Sequence, residues 1–466
     1  MQAGISFTLA ANVENLVLTG AAAINGWGNL LANTLTGNAG ANTLSGLGGD
    51  DVYFVGAGDT VVEAVNEGVW DVVYTAADRT IADNVEAMVA QAGANLTGNP
   101  ANNALYGLYD QAANTLAGAG GNDTYYIGAG DSVTELAGGG IDTVQSGIDY
   151  VLAAEVENLV LTGTASINGG GNALANTLTG NAGANTLTGK AGDDVYYVGA
   201  GDTVVEVAGE GVWDVVYTVA DRTIADNVEA MVAQAGANLA GNPANNNLYG
   251  VYDQAANTLS GGTGDDVYHA GAGDSVTENP GAGVWDVVYA YANRTIDANV
   301  EALVAQAGAN ITGDTRGNAL YGGFDGAANT MQGGAGNDNY YIGRGGGADA
   351  IVENDATAGN TDIATFLSGV TREQVWFRLS GNDLEASIIG TTDKVTVKDW
   401  YLGDNYHVEQ FKTVDGNKTL LDGQVAALVS AMSAPGVTMP AFGTTSLVGP
   451  AYSNVLSLIN GGTTWQ

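Results

Sequence analysis

Five aspartates, Asp51, Asp123, Asp194, Asp266 and Asp338, recur at intervals of 72, 71, 72 and 72 residues, and each has glycine five and two places before it. The pairs are Gly46 and Gly49, Gly118 and Gly121, Gly189 and Gly192, Gly261 and Gly264, and Gly333 and Gly336. Glycine permits a tight turn whose carbonyls crowd one side, and a carboxylate closes that side. Hard divalent cations take about six to eight oxygen ligands at loose geometry, which such a turn supplies once another turn stacks on it. The chemistry to expect is cation binding at five equivalent places.

The elements that position these aspartates are nine-residue modules. Residues 28–54 cut into GNLLANTLT, GNAGANTLS and GLGGDDVYF, each opening on Gly, with Asn or Asp sixth and Leu or Tyr eighth. That is a turn followed by a very short strand with one large inward residue, a unit that can bury its apolar side only by stacking on copies of itself. If successive modules alternate sides, Gly46–Asp51 stacks on Gly28–Asn33, so one aspartate faces an asparagine ladder. A second marker keeps the same spacing: Glu14, Glu86, Glu157, Glu229 and Glu301 sit in NVENL, NVEAM, EVENL, NVEAM and NVEAL. Residues 49–64 return at 192–207, and residues 78–95 return unchanged at 221–238, which points to duplication of a two-unit block. The middle turn of alternate units, GLYDQAANTLA at 107–117, is two residues longer and is expected to bulge.

Gly46–Phe54 fits the nonapeptide GGxGxDxUx except at Leu47, and on these residues the chain resembles the RTX, or haemolysin-type calcium-binding, family. The resemblance implies a parallel β-roll with Ca2+ held between stacked turns. The implied metal residues are the fifteen glycines and aspartates named above. Only the last two copies open on Gly-Gly, and Lys190 stands at the second place of the third copy, a charge unfavourable to a cation. Val370 to Val429, with GNDL, DKVTVKDW and VEQF in order, resembles the haemolysin-type calcium-binding-related domain that follows such repeats. That resemblance implies type I secretion, with AYSNVLSLINGGTTWQ as the C-terminal signal.

Within a unit the order is three nonamers, then GxGDxVxE, an alternating strand such as VWDVVYT, and a VE-containing rung. Period-two alternation dominates to about residue 360 and helical spacing is absent there. The expected fold is all-β: a parallel β-roll or β-solenoid of five units of about 72 residues, then a small α+β C-terminal domain. The division expected is 1–360 for the solenoid, 361–436 for the related domain, and 437–466 for the tail and secretion signal. In the C-terminal part, Thr371 and Gln374 suit a capping box. Ser380 to Asp383 suits a hairpin between VWFRL and LEASII, and KVTVKDW a further strand. Asp422 is expected to cap a helix with Val425, Leu428, Val429 and Met432 on one face, ending before Pro435. MQAGISFTLAANVENLVLTG aligns with residues 144–163, so the first unit is expected to lack its leading strand and to leave a rung open to pairing.

Fifty-one acidic against twelve basic residues give a formal charge of −39, which disfavours nucleic acid and anionic membranes and favours cations. Five divalent ions would bring −39 to −29, so further ions or exposed acids are expected. Asp59, Asp131, Asp202, Asp274 and Asp349 are second candidates, expected to be solvated turn residues. There is no cysteine, no apolar run of membrane length and no basic leader in the first residues. Asp71, Asp142, Asp214 and Asp286 recur in every full unit, as structural positions do. No GxSxG or HExxH is present, and the two histidines are His269 and His407. His269 takes the place held elsewhere by Phe54, Tyr126, Tyr197 and Tyr341, an outward aromatic column flanked by Trp70, Trp213 and Trp285. No catalytic set is put forward. The expectation is a secreted calcium-binding structural protein that pairs with itself, end to end or laterally, in a filament, surface layer or matrix, with an extracellular polysaccharide as a further candidate partner. The alternatives are an adhesin or glycan-binding module and, ranked lower, a uronate-polysaccharide lyase or epimerase.

Overall fold

The structure, a computed structural model, describes residues 1–357, 359–462 and 464–466. The repeats form a parallel β-solenoid, as the nonamer spacing predicts. The chain divides into two compact units, one of residues 1–218 and 225–228, the other of residues 219–224 and 229–466.

In the first unit, successive modules alternate between two faces. Asn15–Leu18 pairs in parallel with Thr34–Thr36, which pairs with Val52–Val55 and then Val72–Thr75, along one long sheet. The modules between them, Gly26–Asn29, Thr43–Leu47 and Thr60–Val61, pair with one another on a shorter four-stranded sheet. Each strand supplies one or two inward side chains, because neighbouring residues of a strand face opposite sides. Leu16, Leu35, Tyr53, Val73 and Met88 are buried from the long sheet, and Leu44 and Val61 from the short one. The two rows meet: a Cβ on Gly26 would stand 2.9 Å from Leu16 and 3.1 Å from Leu44. Burying each such side chain is worth about 1.5–3 kcal/mol, so the stack is held by repetition of one small contact.

The second unit repeats this pattern, with Tyr268, Val288, Leu303, Leu320 and Tyr340 as its inward column. Its long sheet and the last of its short sheets run on into the C-terminal part. Ile363–Phe366 pairs in parallel with Gln410–Thr413, and Ala348–Val352 with Lys394–Val397. Antiparallel strands then follow on each sheet, Asp383–Ile388 and Val375–Ser380 on one, Lys418–Leu421 on the other. The hairpin at Gly381-Asn382 forms as expected, and Thr371 N–H is taken by Gln374 Oε1 at 3.1 Å. The helix Asp422–Met432 also forms, but Leu421 is its N-cap, with its N–H on Gln424 Oε1 at 3.0 Å, so Asp422 is already the first helical residue. Val425, Leu428 and Met432 are buried as expected; Ala431, and not Val429, completes the buried face. Residues 453–460 form a second helix, and Trp465 is buried beside Leu420.

The long turn at residues 107–117 leaves Tyr109 exposed and puts Gln111 at φ 57, which is the expected bulge. The second row of aspartates departs from expectation, since four of the five are buried. Asp59 shows why: its Oδ1 accepts Asn42 N–H at 2.8 Å and its Oδ2 accepts Gly56 N–H at 2.8 Å. Asp131 and Asp274 do the same for Asn114 and Gly128 and for Asn257 and Gly271. These carboxylates tie one turn to the next, with each oxygen already held by an amide. Asp59→Ala removes the acceptor of two buried amides and is expected to lower stability by about 1–3 kcal/mol while the number of bound calcium ions stays the same; urea unfolding and calorimetric titration read the two quantities.

Candidate metal centres

On the other edge of the stack, three turns lie over one another: Gly28–Asn33, Gly46–Asp51 and residues 63–71. Parallel pairing sets their register, and side-chain acceptors lock it. Asp51 Oδ1 accepts Asn33 N–H at 2.6 Å, Asp71 Oδ1 accepts Asp51 N–H at 2.7 Å, and Glu86 Oε2 accepts Asp71 N–H at 2.7 Å. The stacking of Asp51 on Asn33 is the one that the alternation of modules predicts. The other copies repeat the ladder, through Asn103, Asp123, Asp142 and Glu157 and through Asn318, Asp338, Asp362 and Glu409. Val408-Glu409 is thus a further VE rung, carried by the C-terminal part.

Each ladder uses one oxygen of an aspartate and turns the other inward. Asp51 meets Glu63 and Asp71 there. The same trio recurs as Asp123, Glu135 and Asp142; Asp194, Glu206 and Asp214; Asp266, Glu278 and Asp286; and Asp338, Glu353 and Asp362. Within each, one carboxylate oxygen per residue lies within 4.8 Å of the others. The inward tyrosine of the nonapeptide completes the group: Tyr53, Tyr125, Tyr196, Tyr268 and Tyr340 donate to the Oε1 of Glu63, Glu135, Glu206, Glu278 and Glu353. Gly46 N–H donates to Tyr53 Oη at 2.6 Å. Each glutamate is thereby held through Oε1; the Oε2 of Glu63, Glu206, Glu278 and Glu353 is left unpaired, and that of Glu135 accepts Leu136 N–H at 3.1 Å.

In each trio at least two of the carboxylates keep an enclosed oxygen without a hydrogen-bond partner, Asp123 Oδ2 and Asp142 Oδ2 in the second. Asp51 Oδ2, Glu63 Oε2 and Asp71 Oδ2 are enclosed and unpaired, as are Asp194 Oδ2 with Glu206 Oε2, Asp266 Oδ2 with Glu278 Oε2, and Asp338 Oδ2 with Glu353 Oε2. Buried acceptors that face one another without a donor are a large electrostatic cost unless a cation or protons lie between them. Burial, reinforced by the neighbouring like charges, pushes Asp51 to about 7, Glu63 to about 8 and Asp71 to about 6. Glu353 reaches about 9 for the same reasons, Asp362 and Asp338 being its nearest charges. An oxygen-only set of three carboxylates is what a hard divalent cation takes.

The glycines have separate duties. A Cβ on Gly46, Gly118, Gly189, Gly261 or Gly333 would collide with the inward aspartate oxygen and the tyrosine hydroxyl of its own site. Gly49, Gly121, Gly192, Gly264 and Gly336 have φ between 94 and 113, and a side chain there would strike the backbone of the turn below. The second place of the turn also has positive φ, and Leu47, Ala119 and Lys190 adopt it without glycine. Lys190 borders a surface groove, and the trio of Asp194, Glu206 and Asp214 assembles regardless.

The sequence points to the five aspartates but not to their partners. Glu63, Glu135, Glu206 and Glu278 end the GxGDxVxE motif twelve residues after each aspartate, a constant spacing that was the available signal. Asp71, Asp142, Asp214 and Asp286, expected as structural positions, belong to the trios. Glu353 and Asp362 follow Asp338 at longer distances, so spacing alone could not place them. His269 stacks between Tyr249 and Tyr289 at 4.2 and 4.8 Å, and burial lowers its pKa to about 4. It is one layer of the aromatic column, whose other members also stack across rungs, Phe54 on Tyr74 and Tyr106 on Tyr126.

Carboxylate trios repeated on the glycine turns of a parallel solenoid define a cation-binding repeat protein. Residues 27–62, 170–205 and 253–276 match the RTX calcium-binding nonapeptide repeat, and residues 383–418 match the haemolysin-type calcium binding protein related domain. These segments therefore carry RTX calcium-binding repeats and a haemolysin-type calcium-binding-related domain, and the ion they imply is Ca2+. Two matched segments stop one residue short of Glu63 and Glu206, and the trios at Asp123 and Asp338 lie outside the matched residues with the same geometry.

Two outcomes follow. Protons held by the trios in the folded, ion-free state are released on unfolding, because unfolded carboxylates titrate near 4. Ion-free stability is then greatest at acid pH and falls as pH rises from about 4 through the folded values of about 6–8. Calcium requires the ionised form, so its stabilising effect grows over the same range, and melting curves with chelator and with calcium at pH 5 and pH 8 should show the opposite trends. Separately, Tyr196→Phe frees Glu206 without removing a ligand and is expected to weaken calcium at that site by roughly 10–100-fold in calorimetric titration, the usual loss when a ligand's orienting partner is removed.

Proposed function

We propose that this is a secreted calcium-binding structural protein whose repeats fold as calcium enters the five trios, and which then associates with itself in an extracellular filament, surface layer or matrix. The observation that carries this reading is the fivefold repetition of one acidic trio with unpaired buried oxygens. At each site the residues that would hold calcium are the nonapeptide aspartate, the glutamate twelve or more residues later and the aspartate of the following strand. The bound ion supplies the positive charge that lets three adjacent carboxylates ionise together. Because the site exists only when three turns are stacked, binding free energy becomes folding free energy.

Export supports the coupling. RTX repeat proteins are typically secreted, and among the described residues no helix is long and apolar enough to cross a membrane. The C-terminal residues 451–466 are the proposed type I signal. A structural role fits equal sites spread along the chain, none of them unique. Self-association fits the apolar side chains held out in solvent by the turns, above all Val69-Trp70 and Val212-Trp213, whose N–H groups are fixed by Asp50 and Asp193.

Circular dichroism and electron microscopy of the full chain, in millimolar calcium and then in chelator, test both parts. Calcium should convert a largely unfolded chain to β-structure and yield assemblies. Equal folding in chelator removes the calcium coupling, and a chain that folds with calcium yet stays monomeric at high concentration removes the assembly.

A further inference from the structure

The three short sheets of the first unit carry an uncharged strip on a strongly acidic protein. Along the middle sheet the outward partners are Thr80, Thr97, Ala117 and Thr134, in register on parallel strands. Across all three sheets such positions hold mainly Thr, Ser, Ala, Gly and Val, and the carboxylates of the protein are gathered in the turns. Interfaces are depleted of charge at their centre, and with a formal charge of −39 this strip is where two copies meet least repulsion.

One end of the strip carries an indole and the other an open groove. Trp27 is half-buried, on the outward side of Gly26–Asn29, between Thr8 and Ser45. The residue 143 places later, its counterpart in the duplicated block, is Gly170, between Val151 and Thr188. Loss of the indole there leaves a groove of about 510 Å³, floored by Val151, Gly170 and Thr188 and rimmed by Asp149, Tyr150 and Lys190. Lys190 is one of only two Lys or Arg residues in 1–218, and a cation at the rim of an apolar groove suits the face of an indole.

We infer that this strip is a docking surface for a second copy of the chain, with Trp27 of each copy seated in the Gly170 groove of the other. The inference rests on the self-association proposed above and assigns its contact. A twofold axis over the middle sheet exchanges the two ends of the strip, so one pair of residues is used twice, the mark of an isologous interface. Indole and groove are eight strands apart along the long sheet, about 38 Å at about 4.8 Å per strand. A strip of that length and about 15 Å width covers roughly 570 Å² per partner, close to the lower end for stable specific dimers.

Absence of native cysteine allows a single fluorophore to be placed. A bimane is attached at Thr188→Cys in a chain that also carries Trp27→Gly, and this chain is mixed with excess unlabelled wild type or excess unlabelled Trp27→Gly, all in calcium. Trp27→Gly copies the residue of the equivalent position and should fold. Wild type should quench the bimane by tryptophan contact, and the Trp27→Gly partner should not. Sedimentation should show a dimer of wild type whose dissociation constant rises at least tenfold in Trp27→Gly. Wild type that associates as strongly as Trp27→Gly, or equal quenching by both, overturns this contact and leaves self-association standing. Wild type that remains monomeric in calcium overturns both.

Discussion

A trio of carboxylates inside each repeat, at least two of them with an unpaired buried oxygen, is the constraint on which the rest of the fold depends. A carboxylate with no donor in a low-dielectric pocket is costly, and a second and third beside it raise the cost further. Here the solenoid does not avoid the arrangement; it builds it five times. Every surrounding feature serves to hold the trio in place. The ladder of amide bonds to Asp51, Asp71 and Glu86 fixes two of the acids from outside, and Tyr53 fixes the third from inside. Gly46 leaves the volume that the oxygens share. The ion-free stack is therefore a spring held by protons or by a cation, and the apolar columns of one or two residues per strand are a modest force against it.

The contrast between the two edges of the roll sharpens the point. Asp59 and Asp51 both stand on turns of the same sequence type, eight residues apart. Asp59 gives both oxygens to backbone amides and is a structural tie. Asp51 gives one oxygen to an amide and leaves the other for the trio. The difference is what arrives beside the aspartate: Glu63 brings a second carboxylate to Asp51, and Arg79 brings a cation to the turn of Asp59. An aspartate in a glycine turn is thus not enough to mark a cation site; the following rung decides.

That is also why much of the fold, but only a third of each site, was legible in the sequence. The nonamer period determines the solenoid, the alternation of faces and the stacking of Asp51 on Asn33, because short turns and single inward residues leave one way to bury the chain. The hairpin at Gly381-Asn382 and the helix after Leu421 are equally local. Glu63 and Asp71 are not. They lie outside the nonapeptide, in a turn of different length, and come to Asp51 only through parallel register across three strands. Their regular recurrence was visible, but recurrence is shared by structural and ligating residues alike. The buried state of Asp59 was missed for the related reason that its two donors, Asn42 and Gly56, lie on different turns.

The C-terminal part extends this logic past the last nonapeptide. Glu409 takes the place of Glu301 on the VE rung and accepts Asp362 N–H, so the fifth trio of Asp338, Glu353 and Asp362 is completed by a residue that is 47 places further along the chain. Burial and like charge are most severe there, as the value of about 9 for Glu353 indicates. Two strands of this part continue the two sheets in parallel, and antiparallel strands then follow on each. The site with the most to gain from a cation is thus the one whose register depends on the C-terminal strands being in place. A repeat array in which each rung is supported only by its neighbours becomes most secure where such a non-repeating segment joins it.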